Sequence, residues 1–343
     1  MNRSGKVDIR LIIDSIVRLL GESRINQKQQ TAVQIPIQDK ELNQQIATTL
    51  KALVNDQEKI QTAYSLFPSE SQKLFLWILY VNITSLFIEK RNLNDIFWPS
   101  FIEIPDAIQK LIGKKRKLDG LCIDDRYIYM NNRQLPLCYE TITSWIDEIY
   151  TLPGICDVYS DDIVISGGGH YGDTTVLFAD KAGKNGRVYS FEPSLSSWLI
   201  LRKTIADNHL ADRTFAIPAG LWDREEKLYI ANNNSPVSQC ISRKRTEISA
   251  RLISLDKFSK DNSLRKVDFI KLDIEGAEMR ALTGAQHVIR SFSPRLAVCV
   301  YHRLKDIYEL PLYLHALKPE YLLYLSAKTD PYSDFVVFAV PPV

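Results

Sequence analysis

The sequence predicts an α/β protein over its C-terminal half, built on a mostly parallel sheet with helices on both faces and preceded by a mainly helical extension. Three observations carry this. From about residue 160 strand-length apolar runs alternate with helix-length amphipathic ones, the pattern of repeated βα units. The apolar run 163–165 leads into a glycine-rich turn, Ser166-Gly167-Gly168-Gly169-His170-Tyr171-Gly172-Asp173. A second apolar run, 267–272, leads into three acids, Asp273, Glu275 and Glu278. Strands of one parallel sheet present their C-terminal tips on a common edge, where ligands bind.

Taken in order, residues 1–60 read as helical and polar, with Ile9, Ile12, Ile13, Ile16, Leu19 and Leu20 forming one apolar stripe. Residues 25–46 are rich in Gln and Asn and read as a linker or exposed helix ends. Pro68, Ser69 and Glu70 announce an apolar helix over 72–89, and Pro99 and Pro105 break the chain after it. A basic cluster at 114–117 precedes the Asp119-Gly120 turn signal, and 121–137 suggests a hairpin turning at Asn131-Asn132. The βα region predicts strands at 163–165, 187–191, 214–218, 227–230, 251–255, 267–272, 295–300, 321–325 and 334–340. It predicts helices at 174–184, 195–208, 276–291 and 306–317, and a polar loop over 232–245. The domain line falls at 150/151, and the first part is expected to be a cap, a dimer face or a carrier-docking surface.

Composition narrows the function classes. The 43 basic and 41 acidic residues give a net charge of +2, too balanced for an electrostatic nucleic-acid or membrane binder. The five cysteines, Cys122, Cys138, Cys156, Cys240 and Cys299, include no C-x-x-C pair. That argues for a reducing, cytoplasmic compartment and against a disulfide framework or zinc site. The N-terminus lacks the form of a secretory signal, and the apolar run 74–88, interrupted by Asn82 and Thr84, falls short of the roughly 20 residues a membrane span needs.

The segment 167–172 matches G-x-G-x-x-G, which by itself also describes a tight βα turn that binds nothing. Glycines there permit positive φ and close backbone approach, and the following helix N-terminus favours negative charge, from Asp173 or a ligand carboxylate. Glu192 follows the second strand at about 20 residues, the spacing of an acid that accepts both ribose hydroxyls; alone it would read as a loop acid before Pro193. Glu275 and Glu278 fit the first turn of helix 276–291, and for Glu278 capping is the preferred reading. Asp273, at a strand tip, would welcome a cation, an amine or a metal, and the three acids carry oxygen donors suited to Mg²⁺. A glycine turn facing an acidic tip suits a bound cation carrying a nucleoside, such as S-adenosylmethionine. Tyr301-His302 follows the next strand and reaches the same edge, where His302 or Asp273 is a candidate base for an acceptor hydroxyl. His209, His287 and His315 read as structural, and Arg243–Arg245 as solvated charge.

Residues 160–340 resemble the FkbM family of S-adenosylmethionine-dependent methyltransferases. The resemblance rests on 168–174, Phe191-Glu192-Pro193, Leu255-Asp256, the string 267–278 and Tyr301-His302. It implies a class I methyltransferase fold, a Rossmann-like three-layer sandwich on a seven-stranded sheet ordered 3-2-1-4-5-7-6 with strand 7 antiparallel. It implies that Gly168, Gly169, His170, Gly172, Asp173 and Thr174 line the cofactor and that Glu192 takes the ribose. Gly220 and Leu221 would lie near adenine, and Asp273 and Glu275 near the methionine amine or the acceptor. Two departures stand out: Ser166 replaces the family's usual Asp, and Leu325-Ser326 replaces its frequent Arg-His pair. The expected activity is O-methylation of a small-molecule, sugar or natural-product hydroxyl or carboxylate. Two rivals remain at this point: a nicotinamide-dependent oxidoreductase, which the absence of a well-placed Tyr-x-x-x-Lys opposes, and a non-catalytic module with a decayed pocket, which Ser166 motivates.

Overall fold

A computed structural model describes residues 8–14, 40–86, 122–123, 126–230, 241–242, 249–329 and 334–342. The linker over 25–39, the proline breaks, the basic cluster 114–117 and most of the loop 232–245, including Arg243 and Arg245, lie outside the described residues.

After a helical stretch over 9–14, the described extension continues in three helices, α1 (Lys40–Asn55), α2 (Gln57–Ser65) and α3 (Ser69–Thr84). Pro68 sits just ahead of α3 in extended geometry, φ −66° and ψ 162°, where its missing N–H costs nothing. The helix is apolar all round and buried almost throughout. Ser71 Oγ accepts the Leu325 N–H at 3.0 Å, so α3 also satisfies part of a sheet edge. At the α1–α2 junction Asp56 accepts from Lys59 (2.9 Å), Lys305 (3.0 Å) and Tyr308 (2.8 Å). Burial alone would raise its pKa, but these three donors outweigh burial and bring it to about 2.

The extension is not wholly helical. Strands β1 (Cys122–Ile123), β2 (Tyr127–Met130) and β3 (Arg133–Pro136) form a small antiparallel sheet. Its β2–β3 turn is the predicted Asn131-Asn132 pair, with φ of 49° and 61°, positive values that asparagine tolerates. Helix α4 (Tyr139–Trp145) follows.

Next come β4 (Ile163–Gly167), α5 (Asp173–Ala182), β5 (Arg187–Phe191), α6 (Leu195–Asp207) and β6 (Thr214–Ile217). An excursion of β7 (Gly220–Leu221), β8 (Glu226–Ile230), β9 (Ile241–Ser242) and β10 (Ser249–Ile253) makes a separate four-stranded sheet, ordered β7-β10-β8-β9. The chain then forms α7 (Leu255–Asp261), β11 (Phe269–Leu272), α8 (Glu278–Thr283), α9 (Gln286–Phe292), β12 (Arg295–Cys299), α10 (Asp306–Leu317), β13 (Leu322–Ser326) and β14 (Val336–Val340).

The main sheet runs β13-β14-β12-β11-β4-β5-β6, which is the expected 3-2-1-4-5-7-6 order read from its β6 edge. β14 is antiparallel to both its neighbours and the other pairings are parallel. One face packs against α2, α3, α9 and α10, and the other against α5, α6 and the segment around Ile149–Val158. The strands are buried on both sides, which is why they read as continuous apolar runs rather than alternating ones. Two boundaries differ from expectation. The stretch predicted as a helix over 276–291 divides into α8 and α9, and 251–255 gives way to helix at Leu255. No helix among the described residues is long and apolar enough to cross a membrane.

Candidate active site

The two predicted tips meet. Gly168 has φ 78°, and a Cβ there would stand 1.9 Å from the Asp273 carbonyl oxygen, so only glycine allows the turn to lie against the end of β11. Gly168 and Gly169 donate their N–H groups to the Phe191 carbonyl at 3.0 and 2.9 Å, tying the turn to β5 as well. Lys271 fastens it from below. Its buried ammonium donates to the carbonyls of Gly167 (3.0 Å) and Gly168 (2.9 Å) and lies 4.8 Å from the centre of the Tyr150 ring.

Above this junction is a cavity of about 590 Å³, within the range of small-molecule sites. Glu140, Thr143, Ile149 and Tyr150 form one wall, from α4 and the segment after it. Gly168, His170, Asp173 and Thr174 come from the turn and the start of α5, and Glu192 and Pro193 from the end of β5. Gly220 and Leu221 come from β7, Asp273 and Glu275 from the end of β11, and Tyr301 and His302 from the end of β12. Ten of the predicted site residues thus share one space: Gly168, His170, Asp173, Thr174, Glu192, Gly220, Leu221, Asp273, Glu275 and His302. Gly169 and Gly172 do not line it. A Cβ at Gly169 would meet Ser190 Oγ at 2.5 Å, and one at Gly172 would meet Leu201 and Thr204 at 3.1 Å. Those two glycines admit α6 and β5 to the back of the turn.

Glu192 is fixed by two backbone donors, His170 N–H to Oε2 (2.9 Å) and Ser194 N–H to Oε1 (2.8 Å). Burial raises its pKa to about 7, with those amides and Lys271 opposing. Each oxygen keeps a further lone pair, so the carboxylate can receive two adjacent hydroxyls. Ser166 is fully buried, and its Oγ is a buried polar atom with no partner among the described residues.

Asp273 is heavily compensated. Tyr150 Oη donates to Oδ2 and Tyr301 Oη donates to Oδ1 at 3.0 Å. Burial would raise its pKa, but Lys271, His302 and Tyr150 hold it far below the carboxylate range. His302 sits between acids, with Nδ1 at 2.9 Å from Glu278 and Nε2 at 3.3 Å from Asp273. The bond angles are off line, so these contacts act as ion pairs rather than aligned hydrogen bonds. Burial pulls the imidazole pKa down, yet Asp273 and Glu278 together push it up to about 11. With the His302 pKa pushed up and that of Asp273 pushed down, neither group is poised near neutral pH for the base role expected of it. The ligand atoms of Asp273, Glu278 and His302 are clustered closely enough for a metal, but His302 and Lys271 already supply positive charge there, which removes the reason to call on Mg²⁺. Glu278, 1% exposed, is the first residue of α8 and accepts the Ile274 N–H at 2.9 Å, from the turn ahead of the helix.

Residues 166–321 match the sequence model of the methyltransferase FkbM domain. The whole fold is similar to the crystal structure of methyltransferase FkbM from Methylobacillus flagellatus KT, with a TM-score of 0.53 at 18% identity, over 84% of this chain and 60% of that one. The chain therefore spans less than two thirds of that protein's length. Weaker similarities link it to Aeropyrum pernix fibrillarin, solved with natively bound S-adenosyl-L-methionine (TM-score 0.38, 14% identity, 65% of this chain and 85% of that one). They also include the O-methyltransferase from Bacillus cereus in complex with SAH (TM-score 0.37, 13% identity, 74% and 96%). No curated protein matches the chain.

Sequence reasoning missed two side chains that shape the pocket. Lys271 left a signal, a lone cation inside an otherwise apolar strand that had to find buried acceptors. Tyr150 left none, because it reaches Asp273 from far along the chain. A third motif residue serves the framework and stays out of the pocket. The Asp256 carboxylate accepts the His287 and Val288 N–H groups at 3.0 and 2.9 Å, capping α9.

Proposed function

We propose that this protein is an S-adenosylmethionine-dependent O-methyltransferase acting on a small molecule, sugar or natural product. One observation carries the reading: the Glu192 carboxylate, oriented by two backbone amides, faces the same cavity as the side-chain-free Gly168 turn. The residues fit the donor. Gly168 leaves the floor open to close approach, and Glu192 can accept a vicinal diol. Gly168, His170, Asp173, Thr174 and Glu192 would hold it, with Gly220 and Leu221 flanking the base and Asp273 and Glu275 adding negative potential toward a cation. When bound, S-adenosylmethionine supplies an electrophilic methyl group on a positively charged sulfur.

The chain's own residues contribute chiefly alignment and exclusion of water. Tyr150, Tyr301, Lys271 and His302 fix Asp273 and deny it the freedom to act as a base. His302, as an imidazolium, contributes charge rather than proton abstraction. A carboxylate acceptor, which needs no deprotonation, therefore suits these side chains better than a neutral hydroxyl. Calorimetry with S-adenosylhomocysteine and, separately, NADH tests the donor reading: binding of the first alone is expected, and no binding at millimolar concentration would leave a non-catalytic module. Transfer of radiolabelled methyl to pools of hydroxy acids and sugars then tests the acceptor class. His302→Ala is expected to leave the rising, acid limb of the pH–rate profile in place, and loss of that limb would restore the histidine as a base.

A further inference from the structure

A second set of side chains lies beside the cavity, and one of them, His170, also borders the proposed donor site. Cys138, Glu140 and His170 offer a thiol sulfur, a carboxylate oxygen and a ring nitrogen that all lie within 4.8 Å of one another. Cys138 is the N-cap residue of α4, with extended backbone at φ −147° and ψ 167°, and Glu140 lies in the first turn of that helix. His170 reaches them from the glycine turn, where its backbone takes φ 42°. Its ring stacks on Tyr171 at 3.7 Å, while both ring nitrogens are buried with no hydrogen-bond partner among the described residues. An imidazole commonly finds a partner for at least one nitrogen when buried, and two unpartnered nitrogens call for a ligand. The Cys138 sulfur has one weak neighbour, Thr141 Oγ1 at 3.3 Å, and the thiol is not in a disulfide.

We propose that Cys138, Glu140 and His170 form a binding site for a thiophilic divalent cation, zinc being the type, on the α4 wall of the cavity. Sulfur, nitrogen and carboxylate oxygen are the donors zinc takes, whereas Mg²⁺ takes oxygen almost alone. Zinc–ligand bonds of about 2.0–2.3 Å place tetrahedral ligands roughly 3.5 Å apart, so the trio needs to close by about an ångström. On binding, the thiol gives its proton to solvent, and the thiolate and carboxylate together neutralise the ion. Three protein ligands leave a fourth position, and Glu140 and His170 both border the cavity, so that position faces whatever occupies it. An oxygen donor on the acceptor, a carboxylate or a pair of hydroxyls, is the chemistry that position would take. The metal proposal does not rest on the methyl-donor reading, although the two would share His170.

The test is titration of the chelator-stripped full chain with Co²⁺, followed by absorbance. The expected result is one equivalent bound, a thiolate-to-cobalt charge-transfer band in the near ultraviolet, visible bands of tetrahedral intensity, and displacement of all of them by Zn²⁺. Cys138→Ser should abolish the charge-transfer band. His170→Asn, chosen because asparagine tolerates positive φ, and Glu140→Gln should each weaken binding about tenfold or more. Circular dichroism of each variant separates loss of ligand from loss of fold. The proposal fails if the wild type shows no charge-transfer band, or if the band survives Cys138→Ser. It also fails if a folded His170→Asn binds cobalt as the wild type does. Calorimetry with S-adenosylhomocysteine on the same preparation keeps the two readings distinguishable: donor binding without a cobalt band ends the metal site alone, and a cobalt band without donor binding ends the donor reading alone.

Discussion

Gly168 and Glu192 set the terms at the scale of single residues. At Gly168 any side chain would drive into the Asp273 carbonyl while adopting a φ of 78°. Gly168→Ala is expected to cost about 1–3 kcal/mol of stability and to abolish S-adenosylhomocysteine binding, measured by thermal unfolding and calorimetry. Glu192 makes a prediction about pH. Its pKa in the folded protein is about 7, above the 4.5 of a free glutamate. The folded state therefore holds the proton more tightly, and the stability linked to this group is greatest below pH 4.5 and falls as pH rises toward 7. Asp306, raised to about 7 chiefly by burial and next by Glu278, adds a slope of the same sign. Ligand affinity should run the other way, because a diol donates to the ionised carboxylate: binding should strengthen as pH rises from about 6 to about 8. Glu192→Gln should flatten both trends and weaken S-adenosylhomocysteine by about tenfold or more, and calorimetry across pH reads this directly. The residue scale also shows what was legible in the chain. The turn, Glu192 and the acidic tip stand out because each sits at a strand end whose position follows from the βα rhythm. The protonation of His302 does not, since it depends on Glu278 and Asp273 arriving on either side of the ring.

Among the elements, the predicted and observed strand ends agree to within two residues almost everywhere, because a doubly covered parallel sheet writes each strand as an uninterrupted apolar run. The helix expected over 276–291 fails for a tertiary reason. Its start is delayed by the left-handed backbone of Glu275 and Gly276, φ 57° and 88°. It then breaks at Gly284, where a Cβ would meet the Trp222 carbonyl at 1.9 Å. Asp256 caps the second piece from a different strand–helix unit. None of these contacts is local, so periodicity alone could not show the break. Asp256→Ala is expected to cost about 1 kcal/mol, the worth of an N-cap, visible as a lower midpoint in urea with an unchanged slope.

For the molecule as a whole, the extension and the sheet domain are bound by polar as well as apolar contacts. Asp56 joins α2 to α10 through Lys305 and Tyr308, Ser71 meets the β13 edge, and Tyr150 enters the pocket itself. A chain beginning at residue 153 would uncover the apolar surface under α2 and α3 and lose the Tyr150 bond. It is expected to be poorly soluble and unable to bind S-adenosylhomocysteine, as gel filtration and calorimetry would show. Asp56→Ala in the full chain should cost roughly 1–3 kcal/mol. Asp56 has a depressed folded pKa, so its contribution is present above pH 3.8 and fades as pH falls toward 2.

The seam between Gly168 and Asp273 bears on how the protein could accommodate different guests. Clamped by Lys271 beneath and by Phe191 alongside, the floor of the chamber is held to one shape. The facing panel, Glu140 to Tyr150, is carried on a short helix outside the sheet. On the proposed reading, changes in that panel rather than in the glycines below would alter which acceptor fits.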